Sequence, residues 1–430
     1  MFRFLSIFAQ KAFRGSPLGT GRGARWAAWA AGGLMVLFLA GCQFNAKQSA
    51  LDPHGPVARD QMYLFWVTVV VSGFIFAVVG TTMIVVAYKY REKPEDVGKP
   101  LPPQGHGNPL VEISLIGASI ALLVIVAVPT LKSIWFSLDM PTDQPYYKPS
   151  LIGQWYKNPP EKSADEPLEI TVYGYQWWWA FDYKQFGVVT ANEFVIPAGK
   201  VVKINLRSRD VIHSFWLPKL AGKIDLMPGR ANWLWLMADP DQVGTLFYGQ
   251  CAQYCGEAHA YMLFRATAVS PADFQAWINH LKTPVLPPAD GTWDAFLKDM
   301  RQTSDQQLQS KPVVLGAKLF FGRANCLQCH AITGTPAQGL IGPDLTVVGA
   351  RTAIAADFME NLGTDGQIDP ALQHQNLQKW IAHSQDIKPG CKMFYLPTGM
   401  QKIEADNAAA GTPLTEQDFS AIASFLQTLK

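Results

Sequence analysis

The chain has 430 residues, too many for one ordinary domain, so two or three are expected. It is 49% hydrophobic and only 16% charged, a balance that excludes full solvation along its length. A net charge of +2 with no basic run gives no case for nucleic acid as a partner. The six cysteines do not make a disulfide framework: the first five each sit inside a local pattern, and only Cys391 is left unassigned.

The N-terminus carries Arg3, Lys11, Arg14, Arg22 and Arg25, then the apolar run WAAWAAGGLMVLFLAGC. A positive region, a short apolar core and small residues predict a secretory signal over residues 1–41. The ending Leu39-Ala40-Gly41-Cys42 resembles the lipobox of bacterial lipoproteins, which implies lipidation of Cys42. The mature N-terminal segment is then 42–61.

Two apolar stretches follow, LFWVTVVVSGFIFAVVGTTMIVVAY from Leu64 and PLVEISLIGASIALLVIVAVPTLKSIW from Pro109. Each is long enough to cross a hydrocarbon core of ~30 Å as a helix, and together they predict a two-helix hairpin over 62–136 in a lipid bilayer. The joining loop KYREKPEDVGKPLPPQGHGN is short and rich in Lys and Arg, so it belongs in the cytoplasm, with both outer ends across the membrane.

From Glu169 the texture changes. EITVYGYQWWWAFDY, NEFVIPAGKVVKINLRS, RANWLWLMA and LFRATAV are short, β-branched or aromatic, and separated by turn residues. That spacing predicts an antiparallel sandwich or barrel over 166–281. Alternation in YQWWWAFDY puts Tyr175, Trp177, Trp179, Phe181 and Tyr183 on one face. The Pro-rich LKTPVLPPADGTW opens a predicted semi-rigid linker, 282–310. Residues 311–430 read as helical, ending in LTEQDFSAIASFLQTLK with a capping box at Thr415 and Asp418.

CLQCH, Cys326 to His330, is the c-type haem attachment pattern: Cys326 and Cys329 for the vinyl groups, His330 for the iron. Together with GPDLT and KWIAHSQDIKPGCKMF it makes the last domain resemble class I cytochrome c. The resemblance implies Met393 as the second axial ligand, with Met400 as the alternative because Phe394 stands where a proline is usual. Met/His ligation fills both axial positions and suits electron transfer. Cys391 reads as a small pocket residue.

In GQCAQYCGEAHAYM, Cys251, Cys255, His259 and Met262 offer two thiols, an imidazole and a thioether, a set that points to copper rather than zinc. Two thiolates can bridge a pair of copper ions if a second imidazole joins them, and RDVIHSFWLP supplies His213. In order and spacing, His213, Cys251, Cys255, His259 and Met262 resemble the dinuclear CuA centre of cytochrome c oxidase subunit II. With the haem-type domain appended, the chain is similar to subunit II of a caa-type oxidase. The implied fold is a transmembrane hairpin, a cupredoxin-like antiparallel β-sandwich and an all-α class I cytochrome c domain.

The resemblance carries further expectations. The carbonyl of Gln253 becomes a copper ligand, and Gln253 replaces the family's magnesium-binding glutamate, which puts that magnesium site in doubt. Trp177 becomes the exposed aromatic through which electrons arrive, and Glu112 the mouth of a proton path. The implied partners are subunits I and III and a periplasmic cytochrome c or other donor, at the bacterial inner membrane with both cofactor domains on the outer face. The tether would replace diffusional docking by an encounter at an effective concentration of about millimolar. Three other functions share features with this one. A nitric oxide reductase can use the same input module; a quinol-oxidase subunit II would have lost its copper ligands; a periplasmic copper carrier would need neither hairpin nor haem.

Overall fold

The computed structural model describes residues 45–140, 167–393 and 414–430, apart from positions 97, 99, 101–104, 106 and 290. The expected signal segment, Cys42 and Met400 lie outside the described residues. Helix α1 spans Pro56–Lys89 and α2 spans Pro109–Leu138, each apolar and long enough to cross a membrane. Proline opens both helices, where its missing N–H costs nothing, and the Asn108 side chain accepts from Leu110 N to cap α2.

Both outer helix ends are mounted on the β-domain. At the start of α1, His54 N donates to Lys219 O at 2.8 Å and Arg59 pairs with Asp239 at 2.6 Å. At the end of α2, Phe136 packs edge-on against Trp235, with ring centroids 5.5 Å apart. The hairpin therefore returns to the side from which it left, as the loop charges predict.

The β-domain consists of β1 (Leu168–Tyr175), β2 (Trp178–Tyr183), β3 (Val188–Ala191), β4 (Glu193–Pro197), β5 (Val202–Ser208), β6 (His213–Trp216), β7 (Lys223–Leu226), β8 (Asn232–Leu236), β9 (Leu246–Cys251) and β10 (Leu263–Val269). Two five-stranded sheets, ordered β3-β2-β1-β5-β8 and β4-β10-β9-β6-β7, pack face to face. Each sheet holds one parallel pair, β1 with β5 and β4 with β10, so the sandwich is mixed rather than purely antiparallel. Asn192, at φ 61°, turns the chain from β3 in one sheet to β4 in the other. The inner faces fill with Trp179, Phe181, Phe194, Phe215, Phe247 and Phe264, all but fully buried.

The predicted single aromatic face is corrected at its start. Trp177 lies in the hairpin turn rather than on the strand, and Tyr175 stacks on Trp178 at 4.3 Å. Trp179, Phe181 and Tyr183 do point into the core. The turn resets the alternation, which is why the pattern breaks at residue 176.

Helix α3 (Pro271–Leu281) closes the sandwich, capped by Ser270 on Asp273 N. The linker expectation is also corrected. Residues 293–308 form helices α4 (Trp293–Gln302) and α5 (Asp305–Leu308), and their Trp293, Phe296, Met300 and Leu308 are buried in the core of the last domain. Thr292 caps α4, and its apolar residues recur at helical spacing, so burial of that stripe overrides the Pro-rich context before it. The rest of that domain is built on α6 (Pro312–Phe321), α7 (Pro370–Ile387) and α8 (Glu416–Gln427), the last with the Thr415/Asp418 capping box in place.

The helical domain does not hang free. It lies against the β4–β10 side of the sandwich through buried polar contacts. Arg265, 3% exposed, pairs with Asp357 and donates to Thr352 Oγ1 at 2.9 Å. Glu193 accepts from Thr352 Oγ1 and Ala353 N, both at 2.9 Å, and Leu263 N donates to Ala356 O at 3.1 Å. A tether sampling space by diffusion is thus replaced by a seated domain.

Candidate metal centre

The loop from β9 to β10 carries most of the ligand-type side chains. Cys251 is the last residue of β9, and its N–H donates to Met262 O at 3.0 Å, closing the loop on itself. Strand β6 lies beside β9, with Phe215 opposite Cys251, and this register brings His213 to the same end of the sheet. A short 3₁₀ turn, His259–Tyr261, presents His259 from the other side.

The donor atoms converge. The sulfurs of Cys251 and Cys255 are 3.8 Å apart. His213 Nδ1 lies 4.0 Å from Cys251 Sγ, and His259 Nδ1 lies 3.5 Å from Cys255 Sγ. Met262 Sδ is 3.9 Å from Cys255 Sγ, and the Gln253 carbonyl is 3.2 Å from Cys251 Sγ. Among the described residues, His213, Cys251 and Cys255 are the one group of three or more His, Cys, Asp or Glu side chains whose ligand atoms lie together, all within 4.8 Å of one another. Two thiols side by side with one imidazole against each fit a soft metal centre built around paired sulfurs.

The electrostatics prepare Cys251 as a thiolate and leave on Cys255 and His213 the protons that a bound metal would displace. Hydrogen bonding with the Cys255 side chain, against the cost of burial, holds Cys251 well below the ordinary thiol range; His213 adds to this. Cys255 is pushed upward by that neighbouring thiolate and by its own burial. His213 is fully buried, which opposes a cation, but Asp210 and Cys251 outweigh burial and raise its pKa. Its Nε2 donates to Asp210 Oδ1 at 2.8 Å, leaving Nδ1 toward the sulfurs.

Asp210, which the sequence reading passed over inside RDVIHSFWLP, also accepts from Gln176 N at 2.7 Å and Val211 N at 2.8 Å. It fixes the ring of His213. Asp210→Asn is therefore expected to weaken copper binding by about tenfold to a hundredfold, measured by competition with a chelator.

Trp177 is not the exposed aromatic that the resemblance implies. It is 8% exposed, because the helical domain covers it. Its Nε1 donates to Cys255 O at 3.0 Å, and Gln176 Nε2 donates to the same carbonyl at 2.9 Å. Glu112 stands in the first turn of α2, about 40 Å along the helix from its sandwich end, and is exposed. It does not join the cluster. The side chains of Gln253 and Tyr254 face outward, Tyr254 at 75% exposure.

In the helical domain, Asn325 in the left-handed region leads into a 3₁₀ turn, Cys326–Gln328. His330 Nδ1 donates to Pro343 O at 2.7 Å, which orients the ring and leaves Nε2 available. Burial lowers the pKa of His330, partly offset by the Pro343 carbonyl, and keeps the imidazole neutral as an iron ligand requires. Met393 packs half-buried on the same core as Cys326, and its carbonyl accepts from Ser384 Oγ at 2.8 Å. Cys391 is buried, with its sulfur 3.6 Å from Ser384 O.

Residues 187–269 match the family described as cytochrome C oxidase subunit II, periplasmic domain, and residues 313–430 match cytochrome c. The chain is similar to cytochrome c oxidase subunit 2 of Alkalihalophilus pseudofirmus, with 32% identity over 92% of this chain and 95% of that one. It is similar to the subunit 2 of Bacillus sp. strain PS3, with 29% identity over 94% and 98%. A solved periplasmic domain of subunit II of cytochrome oxidase from Bradyrhizobium japonicum shares 33% identity, covering 27% of this chain and 93% of that one at a TM-score of 0.26.

Proposed function

Because the chain belongs to the cytochrome c oxidase subunit 2 family, with a fused cytochrome c domain, we propose that it is the electron-input subunit of a respiratory haem–copper oxidase. It takes electrons from cytochrome c or another donor and delivers them to subunit I, where oxygen is reduced to water and protons are translocated. Subunit III completes the complex. The chain sits in the bacterial inner membrane by its hairpin and a lipid on Cys42, with both cofactor domains on the outer face.

The observation that carries this reading is the pair of cysteine sulfurs 3.8 Å apart with an imidazole nitrogen against each. His213, Cys251, Cys255, His259, Met262 and the Gln253 carbonyl would hold a dinuclear copper centre. Cys326 and Cys329 would hold one covalent haem, with His330 and Met393 as its axial ligands. Copper and haem, when bound, supply the one-electron redox change that no side chain here offers. The protein's own part is to fix donors on β-strands and tight turns, so that little moves when charge arrives. Trp177, bonded to the Cys255 carbonyl, is the side chain placed to link the two domains, and Glu112 is the proton-path candidate on α2. Magnesium at the subunit I boundary is not part of the proposal, since Gln253 is a neutral ligand.

The test is an electron paramagnetic resonance spectrum of the copper-loaded full chain. One electron shared equally by two coppers is the expected signature, and a single-copper pattern would overturn the assignment. Consumption of oxygen rather than nitric oxide by the assembled complex separates the oxidase from the reductase reading.

A further inference from the structure

Where the helical domain meets the copper loop, one lysine is spent entirely on the contact. Lys388, just beyond α7, is 3% exposed. Its ammonium donates to Trp177 O at 2.5 Å, to Tyr261 O at 2.8 Å and to Ala355 O at 3.3 Å. Two of these carbonyls belong to the sandwich and one to the helical domain. An ammonium has three donors, and here each has one acceptor. Burial pulls its pKa down to about 7, with Cys391 and Cys255 opposing, so its partners offset the cost of burying the charge only in part.

The surrounding backbone is shaped for this approach. Gly390 has φ +79°, and a Cβ there would lie 2.9 Å from the ring of Trp177 and 3.0 Å from Glu257. On the sandwich side Gly256, at φ +118°, stands equally close, so a hypothetical Cβ would meet the same ring at 2.9 Å. The indole thus lies between one glycine of the copper loop and one of the segment leading to Met393. Tyr261, whose carbonyl Lys388 grips, directly precedes Met262. The contact therefore joins the Met262 end of one candidate site to the Met393 end of the other.

We propose that Lys388 is the positioning residue that holds the cytochrome c domain in one orientation on the copper loop, so that the two cofactor sites work as a seated pair rather than as a tethered domain colliding with its target. The proposal rests on the copper and haem reading above for its consequence, but not for its geometry.

The test uses the full chain in the assembled oxidase, with Lys388→Met. Two quantities are read: hydrogen exchange at the Leu263 amide, which donates across the interface to Ala356 O, and the rate of electron transfer between the two centres after flash reduction. Exchange faster by about tenfold or more, and transfer slower by about tenfold, are expected. The copper resonance spectrum and haem absorbance should stay those of the unvaried chain, which a general loss of structure would not allow. Exchange and transfer within about twofold of the unvaried chain would overturn the proposal. If the methionine variant does not assemble, Lys388→Gln is read by the same two criteria. In the unvaried chain, a Leu263 amide exchanging as fast as an open one would also overturn it. A protected Leu263 that Lys388→Gln releases, in a chain lacking the two-copper spectrum, would sink the copper reading and leave the positioning role standing.

Discussion

Cys251→Ser in the full chain is expected to abolish the two-copper spectrum and to lower copper affinity by more than about a hundredfold. The reason is its place in the cluster. Cys251 is within 4.0 Å of His213 Nδ1, 3.8 Å of Cys255 Sγ and 3.2 Å of the Gln253 carbonyl, so it stands between the two halves of the donor set. A serine hydroxyl is hard, and it does not ionise near neutral pH as this thiol does. What remains is one thiolate with His259 and Met262, a set suited to at most one copper. The Cys251 N–H bond to Met262 O does not involve the side chain, so the loop should persist. The measurement pairs metal analysis with the resonance spectrum. Two coppers per chain in the variant would show that the cysteine does not bridge.

The second large effect is expected at a position with no ligand. Gly316 lies in α6 where α8 crosses it, and a Cβ there would overlap the carbonyl oxygen of Ala421 and lie 2.9 Å from Cβ of Phe425. The obstacle is backbone in a helix interior, which cannot swing aside. Gly316→Ala gains about 1 kcal/mol of helix propensity but forces α6 and α8 apart along a tightly packed seam. A net loss of about 2 kcal/mol is expected, lowering the unfolding midpoint of the cytochrome c domain by about 10 °C. Haem absorbance followed through a thermal scan reads this domain, and the copper spectrum should be unchanged. An unaltered midpoint would mean the helices have slack that the packing of Phe320, Phe425 and Ile422 does not suggest.

The copper loop was legible because its four side chains fall within twelve residues, and spacing alone brings them together. His213 was harder: it enters through a strand register that no local pattern reports, and the sequence offered it as one of eight histidines that a resemblance singled out. Asp210 was within the quoted segment yet invisible as a partner, since an aspartate three residues before a histidine is commonplace. The helix at 293–302 carried its own signal, a threonine cap followed by Trp293, Phe296 and Met300, which the prolines before it masked. Burial of Trp177 and Lys388 could not be read at all. Both depend on how two domains meet, across 211 residues of separation, and neither periodicity nor composition encodes a docking angle.

The hairpin's two attachments to the sandwich have a consequence for the geometry of the whole assembly. One bolt would let the β-domain pivot on the membrane. Two, at His54 and Arg59 around the head of one helix and at Phe136 near the end of the other, remove both tilt and spin. The stand-off between the bilayer and the metal loop then becomes a fixed dimension of the molecule, set by where the helices end. A catalytic neighbour embedded in the same bilayer would find that loop at one height every time.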